Sequence, residues 1–408
     1  MLRRLQLLVL AAALIVAAFS TGYPFLFFVV YLGLLVVGGS FVMTRLGLAD
    51  LEAGYGVSQV TGYVGDRLRV TYTVRNTGRL PKPWLEVHNP TSLPGGLPGR
   101  AVALGGRSER SWMVRAQLVR RGHFRVDPLQ VRTGDPFGFF EASAGVGHGI
   151  TVVVYPRIDP LPRWRLPPAS IEGSHAAPER TLQTTPLAMS VRPYAPGDSM
   201  NRIHWPTTAR LGEIQVKEFD LEQTTDVWIF LDLDEELELG EGDDSTTEVG
   251  VRVAASIADK ALTENRAVGL TANSRRTAVV QPDRGPRQRL KVLQLLAAVE
   301  ADGRTTLDET LVEGLGRLRR GMTAVVVTPT LDPAFVRPLG ILRSRGIGVV
   351  VVLLEAAAFR AVAAAGDGDE AGEDLRQRGR ALRHALAEYE LPTWVVGPGR
   401  PLGEALVR

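Results

Sequence analysis

Apolar residues fall into three regimes along the chain. From Leu5 through Thr44 no residue is charged. That run is about twice the ~20 apolar residues a helix needs to cross a bilayer. Ser20, Thr21, Gly22, Tyr23 and Pro24 interrupt it midway. The pattern predicts two spans, at 5–20 and 25–43, joined by a tight hairpin. The first also has the form of a signal-peptide apolar core. Arg3 and Arg4 precede the first span and Arg45 follows the second, which puts both ends on the cytoplasmic side. These spans make up a first segment, 1–45.

From 46 to 157 the pattern changes to a period of two. Leu68, Val70, Tyr72 and Val74 alternate with Arg69, Thr71, Thr73 and Arg75, the mark of a half-buried strand. Asn76–Gly78 closes it as a turn. Further strands are expected at Trp84–Val87, Ala101–Leu104, Ser111–Leu118, Gly122–Val126, Leu129–Thr133 and Ile150–Tyr155. Short strands with Gly/Pro turns predict an antiparallel β-sandwich of immunoglobulin-like type. Phe137, Phe139 and Phe140, in the Gly-Asp-Pro-Phe-Gly-Phe-Phe run that starts at Gly134, are expected at a domain junction. A Pro-rich connector covers 158–190.

In the third regime, 224–408, short apolar runs alternate with helical patterns. Val227–Leu231 reads as a buried parallel strand. Helices are predicted at Glu248–Glu264, Arg287–Glu300, Leu307–Arg319, Pro333–Arg345 and Glu373–Tyr389. Strands are predicted at Val268–Ala272, Ala278–Gln281, Ala324–Val327, Ile347–Leu354 and Thr393–Val396. Strands separated by helices predict a doubly wound, mainly parallel α/β sheet, with ligands expected at the carboxyl ends of its strands.

Composition narrows the chemistry. The chain has 408 residues and no cysteine, which excludes disulfides, thiolate metal sites and a cysteine nucleophile. The net charge is +3, too weak to point to nucleic acid. Eight arginines fall within 100–132. They read either as the polar faces of strands or as a surface for anionic lipid or an acidic partner. Asp232 to Glu248 holds nine acidic residues and no basic one, either a solvated loop or a dock for a basic partner. Phosphate-loop, His-Glu-x-x-His and Gly-x-Ser-x-Gly motifs are absent, and the six histidines are dispersed. No catalytic residue is assigned, and the chain is not expected to be an enzyme.

The most distinctive segment is 191–223. It gathers Arg192, Tyr194, Asp198, His204, Trp205 and Arg210, residues suited to a partner surface or a domain joint. The Arg192-x-Tyr194-x-Pro196-Gly197-Asp198 run, then Ile203-His204-Trp205, then Ala209-Arg210, resembles the signature of the domain-of-unknown-function 58 family of bacterial membrane-anchored proteins. The resemblance extends to the whole order of segments. It implies a partner of the MoxR-type AAA+ ATPases and a place in the inner (plasma) membrane, with the soluble domains cytoplasmic.

The strand ends of the last region resemble those of a von Willebrand factor A domain, whose metal site uses oxygen ligands from three loops. The matching positions are Asp232, Asp234, Thr306 and Asp332, and their oxygens suit Mg²⁺ or Mn²⁺. Asp234 and Glu236 stand where that family has two serines. Each position also has a local reading: Thr306 with Glu309 as a capping box, and Asp332 before Pro333 as an N-cap. The function expected is a membrane-anchored, cytosol-facing interaction protein in envelope or complex assembly. The alternative is a metal-dependent hydrolase with Asp232, Asp234 and Asp332 as ligands and His204 as base.

Overall fold

The computed structural model describes residues 2–165, 190–195, 198, 200, 203–218, 226–363 and 370–406. The chain divides into two compact units, Met1–Arg157 with Leu293–Val299, and Ile158–Val292 with Glu300–Arg408. Most of the expected 158–190 connector, together with Pro196, Gly197 and Arg202 of the signature, lies outside the described residues.

The first unit begins with α1 (Leu2–Thr21) and α2 (Pro24–Gly47). Gly22 turns the chain with φ of 66°, a conformation that favours glycine, and Pro24 opens α2. Phe19 and Phe27 meet edge-on across the hairpin at 5.3 Å. Among the described residues α2 alone is long and apolar enough to cross a membrane, with a mean hydropathy of 2.5. The apolar part described for α1, Val9–Thr21, is shorter. The two expected spans are thus two apolar helices, of 20 and 24 residues. α2 also runs past residue 43, through Arg45, to Gly47.

The rest of this unit is β-rich: β1 (Leu51–Val57), β2 (Thr61–Tyr63), β3 (Arg67–Asn76), β4 (Lys82–His88), β5 (Arg100–Leu104), β6 (Glu109–Gln117), β7 (Gly122–Val126), β8 (Leu129–Gly134), β9 (Glu141–Val146) and β10 (Ile150–Tyr155). They form sheets in the orders β1-β3-β6, β2-β10-β7 and β5-β4-β8-β9. All pairs are antiparallel except β2 with β10. The alternation in β3 does what its period predicts. Leu68, Val70, Tyr72 and Val74 are buried while Arg67, Arg69 and Arg75 are exposed. These residues join Leu85, Val131 and Val152 in one core.

The remaining elements, in the second unit save for the part of α5 from Leu293 on, are β11 (Ser190–Pro193), α3 (Trp205–Leu211), β12 (Gln215–Glu218), β13 (Val227–Asp232), α4 (Thr246–Thr263), β14 (Val268–Asn273), β15 (Ala278–Asp283), α5 (Gly285–Ala298), α6 (Leu307–Gly314), β16 (Thr323–Thr328), α7 (Val336–Ser344), β17 (Gly348–Leu354), α8 (Ala356–Ala363), α9 (Glu370–Glu388), β18 (Thr393–Val396) and α10 (Leu402–Ala405). Six strands form one sheet in the order β15-β14-β13-β16-β17-β18. Every pair is parallel except β14 with the edge strand β15. β13, β14, β16 and β17 are buried at every position, which explains their unbroken apolar character. Trp228 satisfies its indole N–H on Thr271 Oγ1 at 2.9 Å.

Two helices differ from expectation. α6 stops at Gly314 rather than continuing to Arg319, and Gly314 lies against the Phe230 ring, where a Cβ would come within 2.7 Å of it. The helix expected from Pro333 opens as a 3-10 turn, Pro333–Phe335, before α7.

Phe230 is fully buried in the core cluster with Leu311, Phe335 and Leu339. Phe230→Ala is expected to destabilise the second unit by about 3–5 kcal/mol through lost burial and the cavity left behind. Urea unfolding of the detergent-solubilised chain measures it.

Candidate functional site

The sheet reverses its winding between β13 and β16. From β13 the chain moves outward to β14 and β15; from β16 it moves the other way to β17 and β18. The connections therefore leave these two central strands in opposite directions, the topology in which ligands are expected at the strands' carboxyl ends. Asp232 ends β13 and Thr328 ends β16. Parallel register brings them level, since Leu231 pairs with Val327. The Thr328 hydroxyl donates to Asp232 Oδ2 at 2.6 Å across 96 residues of sequence. Asn273, the register partner of Asp232, ends β14 on the other side.

Asp232 is 4% exposed. Its Oδ1 has no hydrogen-bond partner, and neither has Oδ1 of the fully buried Asn273. The Asn273 side-chain N–H donates to the Thr305 carbonyl. Buried polar atoms without partners are rare, because each forfeits its hydration without replacement. Desolvation pushes the Asp232 carboxyl up from 3.8 to about 6; the Thr328 hydroxyl and the Asp234 backbone N–H oppose the shift, and the nearby Asp234 charge adds to it.

Two loops shape the rim. After β16, Thr328 Oγ1 accepts the Thr330 N–H at 3.0 Å, Thr330 Oγ1 accepts the Asp332 N–H at 3.2 Å, and Asp332 Oδ1 accepts the Ala334 N–H at 2.9 Å. Three successive side-chain turns thus hold this loop. Between the ends of β13 and β14 runs Gly303. Its N–H donates to the Leu233 carbonyl at 3.0 Å, and its carbonyl accepts the Glu235 N–H at 2.9 Å. A Cβ there would lie 2.4 Å from the Asn273 carbonyl oxygen, so only glycine fits.

The four expected metal ligands do not all converge. Asp232 is buried at the end of β13, at this switch point. Asp234 Oδ1 accepts the Glu236 N–H at 3.0 Å and starts a 3-10 turn, Glu235–Leu237. Asp332 caps the turn at Pro333, as its local reading expects. Thr306 sits at the N-cap of α6 but its side chain makes no capping bond, so the expected capping box is not formed. Among the described residues no three Asp, Glu or His side chains gather as a metal site. The oxygens that fit a hard cation are instead those of Asp232 and Thr328, with unpartnered Asn273 Oδ1 on the neighbouring strand. Asn273 was missed in the sequence because the strand was expected to stop at Ala272. An amide oxygen as the last residue of a parallel strand is the signal that marks it.

The acidic loop is tied down rather than free. The Glu238 carboxylate accepts the Thr246 and Thr247 hydroxyls. Asp244 Oδ1 accepts the Gly399 N–H at 3.0 Å, and Ser245 caps α4.

The signature residues form their own small structure. β11 and β12 pair antiparallel, and α3 lies between them in sequence. Arg192 grips Asp198 through both guanidinium nitrogens at 2.8 Å each, a fork-to-fork geometry that fixes orientation. Asp198 also accepts the Ala195 N–H at 2.9 Å. His204 caps α3: its Nδ1 accepts the Thr207 N–H at 3.3 Å and lies 2.7 Å from the Thr207 hydroxyl. That nitrogen is therefore committed to a local structural task, which weakens its candidacy as a general base. Arg210, in the last turn of α3, is exposed. Trp205 is 66% exposed, and Tyr194, Leu211 and Ile214 are exposed with it.

The comparisons with known proteins agree with the resemblance read from these residues. Residues 190–364 match the family described as "Protein of unknown function DUF58". Over 322 residues the chain is 28% identical to the "Uncharacterized protein YeaD" of Bacillus subtilis (strain 168), covering 76% of each chain. Both matches support the DUF58 family, and the family match itself lies on residues 190–364. Among solved structures, the CARDB domain of the PF1109 protein from Pyrococcus furiosus matches 26% of this chain and 92% of its own, at 17% identity and a TM-score of 0.20. Proximal thread matrix protein 1 from the mussel byssus matches 45% of each chain, at 9% identity and a TM-score of 0.30. At these scores neither likeness bears on fold or function.

The raised Asp232 carboxyl gives a pH signature. Its folded value lies above the unfolded one, so the folded state binds the extra proton and gains stability below pH ~4. That gain disappears as pH rises to about 6. Asp232→Asn is expected to flatten this dependence and to stabilise the second unit at pH 7 by on the order of 3 kcal/mol. Denaturation midpoints from pH 4 to 8 test it.

Proposed function

We propose that this protein is a membrane-anchored adaptor that engages a protein partner at the carboxyl-end face of its α/β sheet. The observation that carries the reading is the unpartnered Oδ1 of Asp232, buried where the winding reverses. A fold stabilised by burial keeps such a group at a cost, and a cation or a cationic partner group would satisfy it.

The sheet order, with its antiparallel edge strand, supports a von Willebrand factor A-like fold for the second unit. The antiparallel sheets around one core support an immunoglobulin-like sandwich for the first. Asp232, Thr328 and Asn273 would hold Mg²⁺ or Mn²⁺. Such an ion would offer a partner carboxylate a positive centre at a low-dielectric strand end. The exposed Trp205, Leu211 and Ile214 would add the apolar contact that interface centres favour. The partner expected from the resemblance is a MoxR-type AAA+ ATPase, and the working site is the cytoplasmic face of the inner membrane, with α2 as anchor.

The test is retention of a purified MoxR-type ATPase from the same genome on the immobilised, detergent-solubilised chain with Mg²⁺ present. Wild type retains the ATPase, and Asp232→Asn loses at least about tenfold in affinity, the scale of a buried charged contact. A wild-type chain that retains no ATPase rejects this partner. Equal retention by Asp232→Asn rejects the carboxyl-end face as the contact face.

A further inference from the structure

The β8–β9 loop, in the first unit, presents an aromatic face that nothing in the sheets explains. Phe137 is 62% exposed at its tip and stacks on Phe139, with ring centroids 5.8 Å apart. The loop is a built turn. Asp135 Oδ1 accepts the Phe137 N–H at 2.8 Å, and Oδ2 accepts the Phe140 N–H at 2.6 Å. Gly138 closes the turn with φ of 73°. Burial alone would raise the Asp135 carboxyl, but the N–H groups of Phe140, Phe137 and Phe139 outweigh it and hold the group below its usual range. The charge therefore serves the turn and holds the rings outward. Trp84, 41% exposed, stands at the start of this loop, its ring 3.4 Å from where a Cβ on Gly134 would lie.

The same loop is fastened to α2. Phe140 meets Phe41 edge-on at 5.6 Å. A Cβ on Gly47 would touch Thr133 at 2.7 Å, so helix and β8 approach as closely as glycine permits. The Lys82 ammonium donates to the Leu46 carbonyl, taking up one of the free carbonyls at the helix end. Phe41 lies about 26 Å along α2 from Pro24 at 1.5 Å per residue, against a hydrocarbon core about 30 Å thick. The loop is thus held at the depth where the helix leaves the core, the level at which aromatic side chains concentrate in membrane proteins.

We infer that Trp84, Phe137 and Phe139 insert into the bilayer interface beside α2, so that the β-rich region rests on the membrane through its own side chains. This rests on the proposed anchoring by α2 and adds a second, independent lipid contact. Its chemistry is that of an interfacial anchor: apolar rings among acyl chains, with the backbone of the turn satisfied internally by Asp135.

The full chain has no cysteine, so single cysteines can carry a nitroxide label without background. Labels at Phe137→Cys, Leu35→Cys in mid-helix and Arg67→Cys at the far end of β3 are read in liposomes of phosphatidylcholine and phosphatidylglycerol. Collision with lipid-soluble oxygen is compared with collision with a water-soluble nickel complex. Trp84→Cys repeats the reading from a different element, should the change at 137 disturb the turn. The expected result is a shift at 137 and 84 toward the oxygen-accessible values of position 35, with 67 reading as water. Water-like values at 137 and 84 with a lipid-like 35 overturn the inference and leave the anchor standing. A water-like 35 removes the anchor itself, and the inference with it.

Discussion

The parallel pairing of β13 with β16 is the contact on which the second unit depends. Both strands are buried along their whole length, so their backbone groups have only each other and the flanking strands as partners. The pair is also where winding reverses, because β14 lies outside one strand and β17 outside the other. Two consequences follow from this one arrangement. It favours apolar residues along the middle of the central strands, and it sends their connections away in opposite directions. A side chain ending either strand is therefore deep in the unit and yet on the carboxyl-end face of its sheet.

Asp232 shows what that position does to a charge. Its neighbours are a hydroxyl from the facing strand and a buried amide, with the Asp234 carboxylate nearby. None of these neutralises it. The acidic residues that follow in sequence are drawn instead into turns and caps, by Glu236, Thr246, Thr247 and Gly399. The loop is thus held as a rim, while Asp232 Oδ1 and Asn273 Oδ1 stay without hydrogen-bond partners. In the signature, by contrast, charge is satisfied internally through the Arg192–Asp198 fork, and the surface it offers is apolar, with Trp205 foremost. One surface would attract by charge and the other by burial, the two components a specific interface combines.

In the first unit the joint between helix and sheet is made by a glycine, a buried lysine and a pair of phenylalanines. Each performs a task that the helix alone cannot. Gly47 admits β8 to close range, Lys82 takes up a carbonyl of the last turn, and Phe140 carries the apolar surface of α2 onto the sheet. α2 therefore ends against the β-rich region instead of passing into a free linker, and runs beyond the stretch its apolar residues alone define.

Local pattern determined much of this protein. The charge-free N-terminus, the alternation of β3, the unbroken apolar runs of β13 and β17 and the period of α4 each follow from burial acting on a strand or helix of known repeat. In the first unit, the strands that the pattern does not mark, β1, β2 and β9, are all sheet edges. An edge strand packs and pairs on one side only, so Gly, Ala and Ser suffice there and the pattern fades. α8 was hidden because its alanines continue the apolar run of β17. What tertiary structure alone decided is the site. Sequence supplied Asp232, Asp234, Thr306 and Asp332 as equals, because spacing cannot tell a carboxylate that caps its own turn from one with no turn to cap. Only the register of three parallel strands brought Asp232, Thr328 and Asn273 to one level, since that level is set by hydrogen bonds between segments up to 96 residues apart.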